Sequence, residues 1–282
     1  MQPEDFELFA RVLKDRSGLV LTKDKGYLLE NKLSPLTRQR KMRGLPDLAQ
    51  QLRGGDTALA ESVVEAMMAK DTGFFRNWKP FEHFRTVVIP NLLVTRRAKK
   101  AFRILCAGVS TGQEAYSLAI LMHNHMAQLG DWQIDILGID ISASALASAE
   151  KGVYSQFDVQ RGLPIRTLLT HFTKDDDSWR LNADVKALAR FQAWNLLDDL
   201  FPLGRFDIVM CRNVTAYFDL ATKVSVLQKL ARITSDDGLL YLGRQEALSG
   251  LSANYIDVEP KLGVFGVHRP DVGKMKSLGL PR

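Results

Sequence analysis

Arg103-Ile104-Leu105-Cys106-Ala107-Gly108-Val109-Ser110-Thr111-Gly112-Gln113-Glu114 is the stretch on which the fold turns. Its apolar first half reads as a buried strand, and the small residues after Ala107 read as a loop. Ala115, Leu118, Ala119 and Met122 then recur at i, i+3, i+4 and i+7, one apolar face at helical period. Gly108 and Gly112 lack a Cβ, so the backbone can turn tightly there and a ligand can come close. A second apolar run, residues 134–139, ends in Asp140. In nucleotide-binding sheets a carboxylate at that place takes ribose hydroxyls; capping of the following helix is its alternative use.

Outward from this unit, strand and helix signals alternate from Ala101 onward. After the first strand comes a helix to about Met126, then the strand 134–139 and a helix from about Ala143. Residues 206–211 read as a strand and 220–233 as a helix. Asp236-Asp237-Gly238 reads as a turn into a strand at 239–242, and 263–268 as a last strand. That order predicts an α/β protein with a doubly wound, mostly parallel sheet. Residues 151–195 break the rhythm: Lys174-Asp175-Asp176-Asp177-Ser178 followed by Trp179-Arg180-Leu181 predicts a small inserted antiparallel lobe.

The first hundred residues predict helices. Phe6, Phe9, Ala10 and Leu13 form one stripe, which stops at Ser17-Gly18. Leu29, Leu33 and Leu36 form a second, bent by Pro35 and stopped by Gly44; a short third helix spans 47–52 and closes at Gly54-Gly55. Leu59, Val63, Ala66 and Met67 mark a fourth. Arg96-Arg97-Ala98-Lys99-Lys100 separates this bundle from the alternating part. The expected division is a helical domain over 1–90, an α/β domain over 91–270 carrying a β-insert at about 155–192, and a loose tail over 271–282.

Composition bounds the function. Of the 282 residues 46% are hydrophobic and 25% charged, enough apolar material for a sizeable core. No apolar stretch is as long as a membrane span, the N-terminus is acidic rather than signal-like, and two cysteines make no disulfide framework. Cys106 and Cys211 close apolar runs and read as reduced, buried thiols, which points to the cytoplasm. Residues 1–100 hold 19 Lys/Arg against 12 Asp/Glu, a balance of +7 in a chain whose total is +6. The basic surplus therefore lies wholly in the N-terminal third and speaks about a partner. His123 and His125, two apart on a helix, face different ways, and we read no metal site.

Five ordered blocks together resemble the chemotaxis receptor methyltransferases (CheR-type), over about residues 6–268. Phe74-Phe75-Arg76 is similar to that family's T-N-x-T/S-x-F-F-R. Ser110-Thr111-Gly112-Gln113-Glu114-Ala115-Tyr116-Ser117 resembles S-T-G-x-E-P-Y-S, and Gly138-Ile139-Asp140-Ile141-Ser142 the T-D-I-D/S stretch. Asn195-Leu196 resembles N-L, and Cys211-Arg212-Asn213-Val214-Thr215-Ala216-Tyr217-Phe218 resembles C-R-N-V-x-I-Y-F. The resemblance implies an S-adenosylmethionine-dependent methyltransferase with a small all-α N-terminal domain and a three-stranded β-subdomain. It further implies that Lys70, Thr72, Arg76, Gly108, Glu114, Asp140, Asn195, Leu196, Asn213 and Val214 line the cofactor pocket. It implies too that Arg76 and Tyr217 stand nearest the transferred methyl. Departures from the family pattern are Lys70 for Asn, Ala115 for Pro, Thr215-Ala216 for a large apolar pair, and Gly243-Arg244-Gln245-Glu246 for G-H-S-E or G-x-x-E.

The implied reaction gives glutamate methyl esters on the cytoplasmic domains of transmembrane chemoreceptors, with S-adenosylhomocysteine as the product and the enzyme acting as a monomer. A glutamate carboxylate is ionised at pH 7, so no general base is required. An Arg fork suits a carboxylate, and a Tyr hydroxyl can aim one oxygen. Duller uses are a surface ion pair for Arg76 and packing for Tyr217, while Glu246 reads as a solvated turn residue. Lys32, Arg38, Arg40, Lys41 and Arg43 form a basic stretch that the resemblance makes a receptor-docking face. Aromatics are absent between Lys32 and Arg43, which disfavours nucleic acid. Two other functions stay open: a non-catalytic paralogue that binds cofactor or receptor, and a nucleic-acid methyltransferase, for which the prolines of N-P-P-Y are missing.

Overall fold

The computed structural model describes residues 2–68, 71–246 and 254–268. Lys70 and the 271–282 tail lie outside the described residues. The N-terminal bundle holds α1 (Pro3–Ser17), α2 (Tyr27–Gln39), α3 (Leu45–Arg53) and α4 (Thr57–Met67). α1 stops where Gly18 turns left-handed, with φ 75°, and its N–H closes on Lys14 O. Gly44 does not stop α2, which ends at Gln39; it flanks the start of α3. Leu8, Phe9, Leu13, Leu29, Leu33, Leu48, Leu59 and Val63 bury the apolar stripes against one another.

Next come α5 (Lys79–His83), a π-helical turn at Phe84–Val88, and α6 (Ile89–Thr95). Sequence periodicity did not separate these from the bundle. Their residues Phe81, Phe84, Val88 and Leu92 share a core with the sheet instead.

The α/β part runs β1 (Ala101–Ala107), α7 (Gln113–His123), α8 (Met126–Leu129), β2 (Gln133–Asp140), α9 (Ala143–Lys151), β3 (Val153–Ser155), α10 (Gln156–Gln160) and α11 (Ile165–His171). It continues through β4 (Phe172–Asp175), β5 (Ser178–Leu181), α12 (Ala183–Lys186), β6 (Ala189–Ala193), β7 (Phe206–Cys211), α13 (Leu220–Ile233), β8 (Thr234–Leu242), β9 (Tyr255–Glu259) and β10 (Val264–Val267). The main sheet has the order β6-β2-β1-β7-β8-β10-β9, parallel except where β10 runs antiparallel to β8 and β9. Alternate residues of the central strands face opposite sides, as period 2 requires. Ile104, Cys106, Ile208 and Met210 join the cluster under α7, while Leu105, Ala107, Val209 and Cys211 join the one under α13.

The insert is the antiparallel sheet β3-β5-β4, its hairpin turning at Asp176, φ 51°. β6, which the sequence reading placed inside the insert, belongs to the edge of the main sheet beside β2. Its sequence Ala-Arg-Phe-Gln-Ala is only half-buried, so it lacks the continuous apolar run of its neighbours. β9 was likewise not foreseen. β8 starts at Thr234, so Asp236-Asp237-Gly238 is strand with a register shift rather than a turn. Arg96 anchors this end: Nε donates to Asp207 Oδ1 at 2.7 Å and Nη1 to Asp237 Oδ2 at 2.8 Å.

Candidate functional site

Beyond the carboxyl ends of β1, β2 and β7 lies a cavity of about 1100 Å³, its open mouth included. This is where open parallel sheets bind ligands. Thr72, Arg76, Gly108, Glu114, Asp140, Asn195, Leu196, Asn213, Val214 and Tyr217 all line it, so residues from five sequence blocks converge. Ser17, Leu19 and Met68 of the helical bundle also line it, and the sequence reading gave none of them a place in the site. Nothing in a local pattern marks them, because their placement depends on how the bundle docks.

The loop after β1 is drawn onto β2: the N–H groups of Gly108 and Val109 both donate to Ile139 O, at 2.9 and 3.0 Å. Gly108 has φ 70°, and a Cβ there would meet Val214 Cγ2 at 2.4 Å. Asp140 accepts from Ser110 N at 2.8 Å and Ser142 N at 2.9 Å. Capping of α9 falls to the Ser142 side chain, which accepts from Ala145 N, so the helix-cap reading of Asp140 does not hold. Burial raises the Asp140 pKa, against the lowering effect of the backbone N–H groups. The carboxylate thus lies on the cavity wall, costly to desolvate and with lone pairs left for a hydroxyl donor.

Glu114, near the start of α7, is largely buried, and Arg212 Nη1 donates to its Oε2 at 2.9 Å. Burial raises the Glu114 pKa and Arg212 pulls it back. Arg212 was quoted in the sequence motif without a role. It proves to be the buried cation of the site: Nη2 donates to Arg76 O at 2.7 Å, and its guanidinium carbon sits 5.3 Å from the Phe81 ring centroid. Its signal was a charged residue directly after a strand buried along its whole length.

At the mouth, Arg76 donates to Asp71 O at 2.7 Å and to Asp71 Oδ2 at 2.9 Å, and Arg161 of the insert holds the other Asp71 oxygen at 3.1 Å. The surface ion-pair reading of Arg76 and its place in the cavity wall are therefore both met. Tyr217 ends a short 3₁₀ turn and is 48% exposed; among the described residues its hydroxyl has no partner. Its carbonyl accepts from Val20 N at 2.9 Å, tying it to the bundle. Asn195 lines the cavity but spends its amide elsewhere, donating to Arg16 O at 2.7 Å and accepting from Leu197 N at 3.0 Å.

Two expectations are corrected. Glu246 is not solvated: it is 1% exposed, its carboxylate buried beneath the loop that carries Asn213 and Tyr217. Lys32 is not a free docking cation either, since its Nζ donates to Met67 O at 2.8 Å and Met68 O at 3.3 Å. The unsatisfied carbonyls at the end of α4 claim it. Arg38, Arg40, Lys41 and Arg43 are exposed. Cys106 and Cys211 are buried free thiols. His123 bonds Asp184 at 2.8 Å, and among the described residues no three His, Cys, Asp or Glu cluster as metal ligands would.

The wall suits a nucleoside carrying an amino acid. It offers a carboxylate at the end of β2 and apolar Leu196, Ile141 and Val214.

Two family models match the chain: "CheR methyltransferase, all-alpha domain" over residues 4–68 and "CheR methyltransferase, SAM binding domain" over residues 70–262. "Chemotaxis protein methyltransferase 1" of Pseudomonas aeruginosa is 34% identical over 265 residues, 93% of this chain and 96% of its own. "Chemotaxis protein methyltransferase Cher2" of Pseudomonas putida is 33% identical, with the same shares covered. A "Chemotaxis protein methyltransferase" of Vibrio parahaemolyticus is also 33% identical, over 93% of this chain and 96% of its own. Among the described residues no helix is long and apolar enough to cross a membrane.

Proposed function

The chain belongs to the CheR methyltransferase family, and we propose that it methylates glutamate side chains of chemoreceptors to methyl esters from S-adenosylmethionine. The observation that carries this reading is the convergence of Arg76, Glu114, Asp140 and Tyr217 on one cavity. When bound, the cofactor supplies a methyl group on a sulfonium, an electrophile that a carboxylate oxygen can attack.

The rest of the work falls to this chain. A substrate carboxylate arrives ionised, because its reference pKa is about 4.3, so no side chain need take its proton. Holding both reactants in line is worth roughly 7–11 kcal/mol of barrier. Arg76 grips the incoming carboxylate in place of Asp71, and the Tyr217 hydroxyl donates to one of its oxygens. Asp140 takes ribose hydroxyls, and Glu114, held by Arg212, faces the amino group. Leu196 and Val214 exclude water from one side. Arg38, Arg40, Lys41 and Arg43 guide the receptor's acidic methylation region to the bundle, in the cytoplasm and with one copy of the chain acting alone.

The test is transfer of labelled methyl to receptor-rich membranes. Wild-type protein yields base-labile label. Arg76→Ala abolishes it while S-adenosylhomocysteine affinity falls only modestly, and Tyr217→Phe slows it at unchanged affinity. Alkali-stable label points to another acceptor. Cofactor binding without any label in receptors from the protein's own source leaves the binding-paralogue reading in its place.

A further inference from the structure

β8 ends at Leu242, and the chain turns at once through Gly243 so that Glu246 N donates back to Gly243 O at 2.9 Å. The Glu246 side chain folds beneath residues 213–217. Oε2 accepts from Asn213 N at 2.6 Å and from Gly243 N at 2.6 Å; Oε1 accepts from Val214 N at 2.8 Å, Thr215 Oγ1 at 3.0 Å and Ala216 N at 3.0 Å. Gly243 is required for this closure, since a Cβ there would lie 2.5 Å from Glu246 Oε2 and 2.9 Å from Asn213 N.

The loop needs such a partner. Asn213 turns the loop at φ 61°, a left-handed conformation that Asn adopts more readily than other side chains, and the N–H groups of Asn213, Val214 and Ala216 converge on the two oxygens of one carboxylate. Convergent N–H groups make an anion-binding concavity. Here the anion is the chain's own carboxylate, and the opposite side of the loop is the cavity wall bearing Asn213, Val214 and Tyr217. Thr215, where the family resemblance leads one to expect a large apolar side chain, adds a donor of its own, and it is 1% exposed.

We infer that Glu246 is a positioning residue: its buried carboxylate sets the loop that presents Tyr217 to the substrate and Asn213 and Val214 to the cofactor. The inference rests on the proposed roles of that loop. It assigns Glu246 no contact with either reactant.

Glu246→Gln tests it, because Gln matches Glu in shape yet turns an NH₂ group toward N–H donors. The folded variant binds S-adenosylhomocysteine about 10-fold more weakly by calorimetry. At saturating cofactor its methylation rate falls about 100-fold, the scale of an ångström's misplacement. In a Tyr217→Phe background the same substitution costs less than about 3-fold further, because the hydroxyl it positions is already gone. A merely structural residue would give multiplicative losses instead. Should Glu246→Gln fail to fold, Thr215→Val removes one donor of the five; a rate loss that is sub-multiplicative with Tyr217→Phe supports the inference, and an unchanged rate overturns it. Wild-type affinity and rate in a folded Glu246→Gln, or multiplicative losses in the double variant, refute the inference alone. A wild-type chain that binds no S-adenosylhomocysteine, or a silent Tyr217→Phe, refutes the reading of the loop and the inference with it.

Discussion

Asp140→Asn separates what the carboxylate costs the fold from what it contributes to binding. In the folded chain, burial raises the Asp140 pKa above the ordinary 3.8, although Ser142, Ser110 and Ile141 donate backbone N–H groups that lower it. A carboxylate with a raised folded-state pKa gives its relative stability below its unfolded pKa and loses it as pH rises through the folded value. Asn carries no such loss. It keeps one acceptor oxygen, so either Ser110 N or Ser142 N gives up its partner, at about 1 kcal/mol. Stability therefore shifts in the variant's favour as pH climbs from below 3.8 toward neutrality. Binding moves the other way: a hydrogen bond to an ionised acceptor contributes about 1.5–3 kcal/mol, or roughly 10- to 150-fold in Kd. Calorimetry with S-adenosylhomocysteine at pH 7, beside denaturant unfolding at pH 4 and pH 7, reads both effects. An unchanged Kd in the folded variant refutes ribose binding by Asp140 and leaves it as a tie between the loops after β1 and β2.

Three further outcomes are expected. Gly108→Ala places a methyl 2.4 Å from Val214 Cγ2 at a left-handed φ of 70°; it costs about 1–2 kcal/mol of stability from backbone strain alone, and cofactor affinity falls as Val214 gives way. An unchanged melting temperature together with unchanged affinity would contradict it. Arg212→Met leaves Glu114 buried and unpaired, a loss of about 3–5 kcal/mol at neutral pH. Because Arg212 lowers the raised Glu114 pKa, its removal lifts that pKa further, so the deficit shrinks as pH falls; denaturant melts at pH 8 and pH 5 check the direction. Charge reversal at Arg40 and Lys41 raises the receptor concentration needed for half-maximal methylation and weakens its salt dependence at unchanged cofactor affinity, whereas Lys32→Ala leaves receptor dependence alone and lowers the melting temperature.

Much of this was legible in the chain because the signals were local. The run from Arg103 to Glu114 contains its own strand, its own glycines and its own helix face, and β1 and α7 follow it closely. β7 and α13 fall where apolar content and helical period put them, at Phe206–Cys211 and Leu220–Ile233. Glu114, Asp140 and Tyr217 follow β1, β2 and β7, whose carboxyl ends come together in a parallel sheet; Arg76, on the loop before α5, was assigned to the site only by the family resemblance. Local pattern failed where one face of an element was polar: β6 at the sheet edge carries Arg190 and Gln192 and was assigned to the insert instead of the main sheet. It failed more sharply where a side chain's use depends on a partner distant in sequence. Glu246 meets four of its five donors 30 to 33 residues upstream, Arg212 meets Glu114 98 residues away, and Lys32 meets Met67 35 residues on. A charged residue looks solvated in sequence because desolvation is costly; only the tertiary structure supplies the partner that makes burial tolerable.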